Sequence, residues 1–215
     1  MNIIELNHVT KKFGSRVVIN DLSMQVAERE FVALVGPSGC GKSTILNMIG
    51  LLETIDQGEI KIKQQTLPNI NSRAATKIRR NHINYLFQSY ALVSEITVTQ
   101  NLMLAMAYDK QTSQEKQHKI HDVLALLNIA HLANEKVNTL SGGEQQRVAI
   151  ARTIVKPGDI ILADEPTGAL DEELANISFN LIQSLRDDYG KTIVLVTHNM
   201  EQAQSADRLI QLGNA

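Results

Sequence analysis

The chain has 215 residues, with 21 basic and 23 acidic side chains and a formal net charge of -2. The length fits one large domain or two small ones, and the balanced charge gives no reason to expect a nucleic-acid partner or an anionic membrane surface. The single cysteine, Cys40, excludes an internal disulfide. No apolar run approaches the roughly 18 residues of a membrane span, and no secretory signal is expected at the start of the chain.

Short apolar runs predict strands at both ends of the chain. The run Phe31–Val35 leads directly into a glycine-rich loop, after which Lys42–Ile49 is predicted to be a helix. A second helix is predicted from an apolar stripe of Leu174, Ile177, Leu181 and Leu185. Because strands and helices alternate, an α/β sheet with crossover helices is expected. The other predicted strands are Ile3–Leu6, Leu22–Val26, Ile160–Ala163, Thr192–Val196 and Arg208–Leu212.

The middle of the chain has a helical period from about Val98 to Val155. Thr97 with Gln100, and Thr112 with Glu115, have the spacing of capping boxes at helix starts. One apolar stripe is formed by Ile120, Val123, Leu124 and Leu127. We therefore expect a helical insertion into the sheet domain. The polar segment Gln64–Ser72 is predicted to be a surface loop.

The glycine-rich loop fits the pattern G-x-x-x-x-G-K-[ST] and lies between a predicted strand and a predicted helix, which is the context of a phosphate-binding loop. Its backbone N–H groups and the following helix start would face phosphate oxygens. Lys42 would supply a cation for the terminal phosphates, and Ser43 a hydroxyl for Mg²⁺. The motif residues predicted to hold the nucleotide are Gly36, Ser38, Gly39, Cys40, Gly41, Lys42, Ser43 and Thr44.

Two further motifs agree with a phosphate site. The apolar run at Ile160 ends in Asp164 and Glu165, where the first carboxylate could hold Mg²⁺ and the second could accept a proton from water. The segment Leu140-Ser141-Gly142-Gly143-Glu144 begins a predicted helix with a capping box and two glycines. Such a helix start is a second candidate anion site.

In order and spacing, these motifs resemble those of ABC ATPases over essentially the whole chain. The resemblance implies an α/β P-loop NTPase (RecA-like) core, an N-terminal antiparallel β-subdomain and an inserted α-helical subdomain. It assigns the core to 1–88 and 158–215, and the helical subdomain to 89–157. It gives ATP and Mg²⁺ as cofactors, with Ser43, Gln88 and Asp164 as magnesium ligands. The catalytic residues it implies are Glu165, His198, Gln88 and Lys42. It also places Phe13 against adenine, and it identifies Ser141–Gly143 as signature residues and Asp171 as part of the D-loop.

The resemblance also implies a mechanism and partners. Such domains form head-to-tail homodimers in which each ATP contacts the phosphate loop of one subunit and Ser141, Gly142 and Gly143 of the other. Integral membrane permease subunits would hold the dimer at the cytoplasmic face of the membrane, with a short permease helix in a groove near Gln88–Val93. No nucleic acid partner and no C-terminal regulatory domain are expected.

The run from Ala163 to Asp171 and the segment Phe87–Leu92 look most similar to the lipoprotein-release and macrolide-export branch, which also includes bacteriocin and antimicrobial-peptide exporters. That branch predicts an ATPase (ATP and water to ADP and phosphate) coupled to export of a peptide, lipoprotein or drug. Two alternatives remain open at this point. They are an amino-acid importer ATPase and a non-transport ATPase of a cell-envelope or division complex.

Overall fold

The structure is a computed structural model and describes residues 1–213. The last two residues of the predicted core segment 158–215 lie outside this range. The strands are β1 (Asn2–Phe13), β2 (Arg16–Ala27), β3 (Phe31–Val35), β4 (Gln57–Ile62), β5 (Gln65–Thr66), β6 (Ile83–Phe87), β7 (Ile160–Asp164), β8 (Thr192–Val196) and β9 (Arg208–Gln211). The helices are α1 (Lys42–Ile49), α2 (Arg73–Asn81), α3 (Val98–Ala105), α4 (Ser113–Leu126), α5 (Gly142–Val155), α6 (Glu172–Asp187) and α7 (Met200–Gln204), with 3-10 turns at Ala130–Leu132 and Val137–Thr139.

A parallel five-stranded sheet in the order β6-β7-β8-β3-β9 forms the centre of the fold. Its middle strands are covered on both faces, which explains their uninterrupted apolar sequences. Phe31 of β3 contributes to the hydrophobic core on one face, and its neighbour Val32 contributes to the core on the other. The predicted α/β sheet with crossover helices is confirmed.

An antiparallel sheet in the order β2-β1-β4-β5 packs in the same core as α1. The strands β1 and β2 have 12 residues each, although the sequence predicted only Ile3–Leu6 and Leu22–Val26. Several register shifts interrupt their pairing. Each shift breaks the alternation of apolar and polar side chains, so the full strand lengths are hidden in the sequence.

The helices α3, α4 and α5 pack against one another, and α5 also contacts α6 and the strand β6 of the parallel sheet. These helices share a hydrophobic core with one face of the sheet. The predicted capping boxes at Thr97, Thr112 and Ser141 are all formed, and the predicted stripe on α4 is buried. The helical character of this region is confirmed, whereas the boundaries at 88/89 and 157/158 stay a prediction. No helix within residues 1–213 is both long enough and apolar enough to cross a lipid bilayer.

Some predictions of local structure were wrong or incomplete. In α6, Ile177 is 39% exposed, and the buried residues are Ser178, Phe179, Ile182 and Leu185. The predicted stripe is confirmed at Leu185, and Leu181 packs against the core, whereas Ile177 lies outside the buried face. That face includes Phe179, whose ring packs against Phe31 at 6.1 Å between centroids. The strands β4 and β6 and the helix α2 were not predicted. Within the predicted loop Gln64–Ser72, the two residues of β5 pair with β4.

Candidate functional site

The glycine-rich loop joins β3 to α1 and curls around the start of that helix. Gly41 is the N-cap of α1 and has a φ of 97°, in the left-handed region that favours glycine. A Cβ atom at this position would lie 2.4 Å from Cδ1 of Ile19. The loop can therefore adopt this conformation only with glycine at position 41. In this conformation the backbone of the loop is turned toward the start of α1.

Lys42 is the first residue of α1, and its side chain folds back into the loop. Its ammonium donates to the carbonyl oxygens of Gly36 at 2.8 Å and Pro37 at 2.9 Å. Only 5% of the residue is exposed. The lysine charge is thus held at the centre of the loop, where the carbonyl contacts can be exchanged for phosphate oxygens.

Ser43 and Asp164 bring a hydroxyl and a carboxylate together at the end of β7. The Ser43 hydroxyl donates to Oδ1 of Asp164 at 3.0 Å. Burial raises the pKa of the Asp164 carboxyl, the Ser43 hydrogen bond lowers it, and the nearby Glu165 carboxylate raises it again. Oxygen donors of this kind suit Mg²⁺, which would favour the charged form of this carboxyl.

Glu165 follows Asp164 and has a backbone φ of 45°, which is uncommon for a residue other than glycine. Its N–H donates to the carbonyl oxygen of Val196 at 2.9 Å, which fixes this conformation against β8. Its Oε1 atom lies 2.8 Å from Nε2 of His198, the second residue after β8. The ends of two neighbouring strands therefore place a carboxylate and an imidazole in direct contact.

A cleft of about 300 Å³ joins these groups to the turn between β1 and β2. One wall carries the aromatic ring of Phe13, which is 49% exposed. Glu165 and His198 also line the cleft. The predicted site residues that line the cleft are Phe13, Ser38, Gly39, Gly41, Lys42, Ser43, Thr44, Glu165 and His198.

Other predicted site residues do not line this cleft. Cys40 is buried and lies beside Ile19 and Leu212. Gln88 follows β6, whose last residue pairs with Asp164, and its amide lies near Gly168. The residues absent from the cleft lining are Gly36, Cys40, Gln88, Ser141, Gly142, Gly143, Asp164 and Asp171.

The signature segment lies at the start of α5, away from the cleft. Ser141 and Gly142 are exposed, whereas Gly143 is buried. A Cβ atom on Gly143 would lie 3.1 Å from the side chain of Leu174 in α6, so glycine permits this close packing. Asp171 is the N-cap of α6 and accepts from the Leu174 N–H at 2.9 Å. Both segments present helix starts at the surface of this single chain.

Sequence reasoning missed Arg16 and Val18, which also line the cleft. Neither belongs to a recognised motif. The only available signal was position, because Arg16 is three residues after Phe13. The turn at Gly14 and Ser15 returns it to the same part of the cleft.

The parallel sheet, the phosphate loop and the acidic end of β7 define the chain as a P-loop ATPase. The family model described as ABC transporter matches residues 19–168. Over 210 residues, the chain is 37% identical to the macrolide export ATP-binding/permease protein MacB of Campylobacter jejuni, with 98% of the chain and 33% of that protein covered. It thus spans about a third of the length of that relative.

Other relatives match over nearly their whole length. The ABC transporter ATP-binding protein MJ0796 of Methanocaldococcus jannaschii is 38% identical over 218 residues, with 98% of the chain and 93% of that protein covered. Its dimeric cassette structure superposes with a TM-score of 0.87 at 37% identity, with 98% and 94% of the two chains covered. A dimeric post-hydrolysis state of MJ0796 bound to ADP and Pi also gives a TM-score of 0.87, at 36% identity and with 97% and 94% covered. The chain belongs to the ABC transporter family, and the predicted macrolide-export branch is confirmed.

Proposed function

We propose that this chain is the ATP-hydrolysing subunit of a membrane exporter and that it binds Mg-ATP in the cleft around Lys42. The observation that carries this proposal is the convergence of a buried phosphate-loop lysine, a Ser43–Asp164 pair and a Glu165–His198 pair at one end of the parallel sheet. These groups supply a cation, magnesium ligands and a proton acceptor, which are the parts that phosphoryl transfer to water needs.

Each residue has a distinct role in this proposal. Phe13 stacks on adenine, and Lys42 exchanges its two carbonyl contacts for phosphate oxygens. Ser43 and Asp164, with Gln88 nearby, hold Mg²⁺, which when bound neutralises charge on the phosphates. Glu165 accepts a proton from the attacking water. His198 orients the Glu165 carboxylate through their 2.8 Å contact.

We also propose that two copies pair head to tail on ATP. Ser141 and Gly142 form an exposed helix start that does not line the cleft of their own chain. An exposed helix start with free N–H groups attracts anions, so it can complete the cleft of a second copy. The dimeric cassette structures of MJ0796 support pairing of two copies.

A membrane partner is proposed to dock in a groove of about 400 Å³ between β6 and α3. Its rim exposes apolar side chains, since Leu52, Val93 and Leu104 are 48%, 48% and 58% exposed. This groove adjoins the predicted segment Gln88–Val93, so a permease helix bound there would be close to the nucleotide cleft. The permease part of the macrolide export relative supports such a partner, with the chain peripheral to the cytoplasmic face of the membrane.

The nucleotide site is tested by equilibrium binding of ATP to the wild-type chain and to Lys42→Ala. Because hydrogen bonds from a charged donor contribute about 1.5–3 kcal/mol each, we expect the affinity to fall at least about tenfold. Lys77→Ala, at an exposed position of α2, is the matched control and should bind ATP normally. Equal affinity of Lys42→Ala and the control would contradict the proposed site.

The groove is tested by placing a photocrosslinking amino acid at Leu104 in cells. The expected crosslinked protein contains transmembrane helices when identified by mass spectrometry. The same amino acid at Gln114, an exposed position on α4, is the control and should not give this product. Crosslinks from position 104 only to soluble proteins would contradict the docking proposal.

A further inference from the structure

Arg16 begins β2 and lies directly opposite Phe13 across the short turn between β1 and β2. Side chains of opposed residues in an antiparallel pair point to the same face. Both residues line the cleft that contains the phosphate loop. The hairpin therefore carries a cation beside the aromatic ring proposed to stack on adenine.

The guanidinium of Arg16 reaches the phosphate loop. Its Nη2 atom donates to the carbonyl oxygen of Gly39 at 3.4 Å, which is a long contact for an N–H···O bond. The residue is exposed, and it forms no ion pair with any acid in residues 1–213. Most of the donor capacity of this side chain is thus free to meet a ligand at the loop.

The position of Arg16 differs from that of Lys42, the other lysine or arginine in the cleft lining. Lys42 is buried at the base of the loop, near the end of β7 that carries Asp164 and Glu165. Arg16 approaches from the hairpin that carries Phe13. A nucleotide with its base on Phe13 and its last phosphate near Glu165 would pass its first phosphates between these two cations.

We infer that Arg16 is a nucleotide-binding residue whose guanidinium contacts the phosphates that ATP and ADP share. The inference rests on the proposed nucleotide cleft. The planar fork of a guanidinium matches phosphate oxygens in two-point contacts, and its weak bond to Gly39 costs little to exchange. Because the contact does not involve the last phosphate, Arg16 contributes equally to binding of ATP and ADP.

The test is calorimetric binding of ATP and ADP to the wild-type chain, Arg16→Ala and Arg16→Lys, each at two salt concentrations. We expect Arg16→Ala to weaken ATP and ADP by the same factor, about three- to tenfold, because the contact is charged but exposed. The affinity of Arg16→Ala should also depend less on salt, because screening acts on one contact fewer. Arg16→Lys keeps the charge but lacks the planar fork, so its affinity should lie between those of Arg16→Ala and the wild type.

Lys12→Ala is the matched control, because Lys12 is an exposed cation of the same hairpin outside the cleft lining. Unchanged binding in Arg16→Ala would overturn the inference while leaving the cleft intact, since the wild type would still bind ATP. A loss confined to ATP would place the contact at the last phosphate. An Arg16→Lys chain as weak as Arg16→Ala would show that the positive charge contributes nothing to binding, as expected for stacking on the base instead of a phosphate contact. Either of these two results would also overturn the inference about Arg16. A wild-type chain that binds neither nucleotide would instead refute the proposed function.

Discussion

Replacing Glu165 by glutamine tests the proposed chemistry separately from binding. The amide keeps the size of the carboxylate but cannot accept a proton, and loss of a general base lowers rates by about 10²–10⁴-fold. That factor corresponds to a barrier increase of about 3–5 kcal/mol. The Lys42 and Ser43–Asp164 contacts do not involve the Glu165 carboxylate, so ATP affinity should stay within a few-fold of the wild type.

The fold should tolerate this change. The Glu165 and His198 side chains are 27% and 52% exposed, and partly exposed pairs contribute at most about 1 kcal/mol. Single-turnover phosphate release measures the chemical step, with Glu201→Gln on the exposed start of α7 as the control. A rate for Glu165→Gln within tenfold of the wild type, at saturating ATP, would refute the role of Glu165 as the base.

The other predictions concern two buried groups. Cys40 is 6% exposed, so a maleimide should react with its thiol far more slowly in the folded chain than in denaturant. Once attached, the maleimide should distort the phosphate loop and abolish ATP hydrolysis. Fully alkylated protein, verified by mass spectrometry, that keeps its ATPase activity would contradict this. Burial, together with the nearby charges of Arg152 and Lys191, lowers the pKa of Lys156 from 10.5 to about 8. The unfolded state therefore binds more protons between pH 8 and 10.5, so the free energy of unfolding should rise with pH in this window, by up to about 3 kcal/mol, relative to Lys156→Met. Denaturant titrations of both proteins showing parallel pH profiles would argue against this.

The phosphate loop and the helix starts were predictable because their information is local. A loop that must curl around Lys42 needs glycine at position 41, and a capping box such as Thr97 with Gln100 satisfies its own backbone. The buried strands β3, β7 and β8 were predicted for a related reason, since strands covered on both faces are apolar throughout.

Features that depend on tertiary packing were not predictable. The helix α2 buries only Ala75, so its sequence carries no apolar stripe. The buried face of α6 is set by the contact between Phe179 and Phe31, which are distant in sequence. Arg16 enters the cleft through strand pairing, and no motif marks it.

In the proposed dimer, the helix start at Ser141 of one copy completes the ATP cleft of the other. This shared site is tested most directly by light scattering on Glu165→Gln in Mg-ATP, with and without a second change, Ser141→Arg. We expect a dimer for Glu165→Gln, because ATP joins the two chains and is not consumed. We expect a monomer for the double variant, because the bulky side chain blocks the helix start that faces the partner's nucleotide. Thr112→Arg in the same background disrupts the equivalent capping box of α4 and should leave the dimer intact. A Glu165→Gln chain that stays monomeric at saturating Mg-ATP, or a dimer that survives Ser141→Arg, would contradict the account.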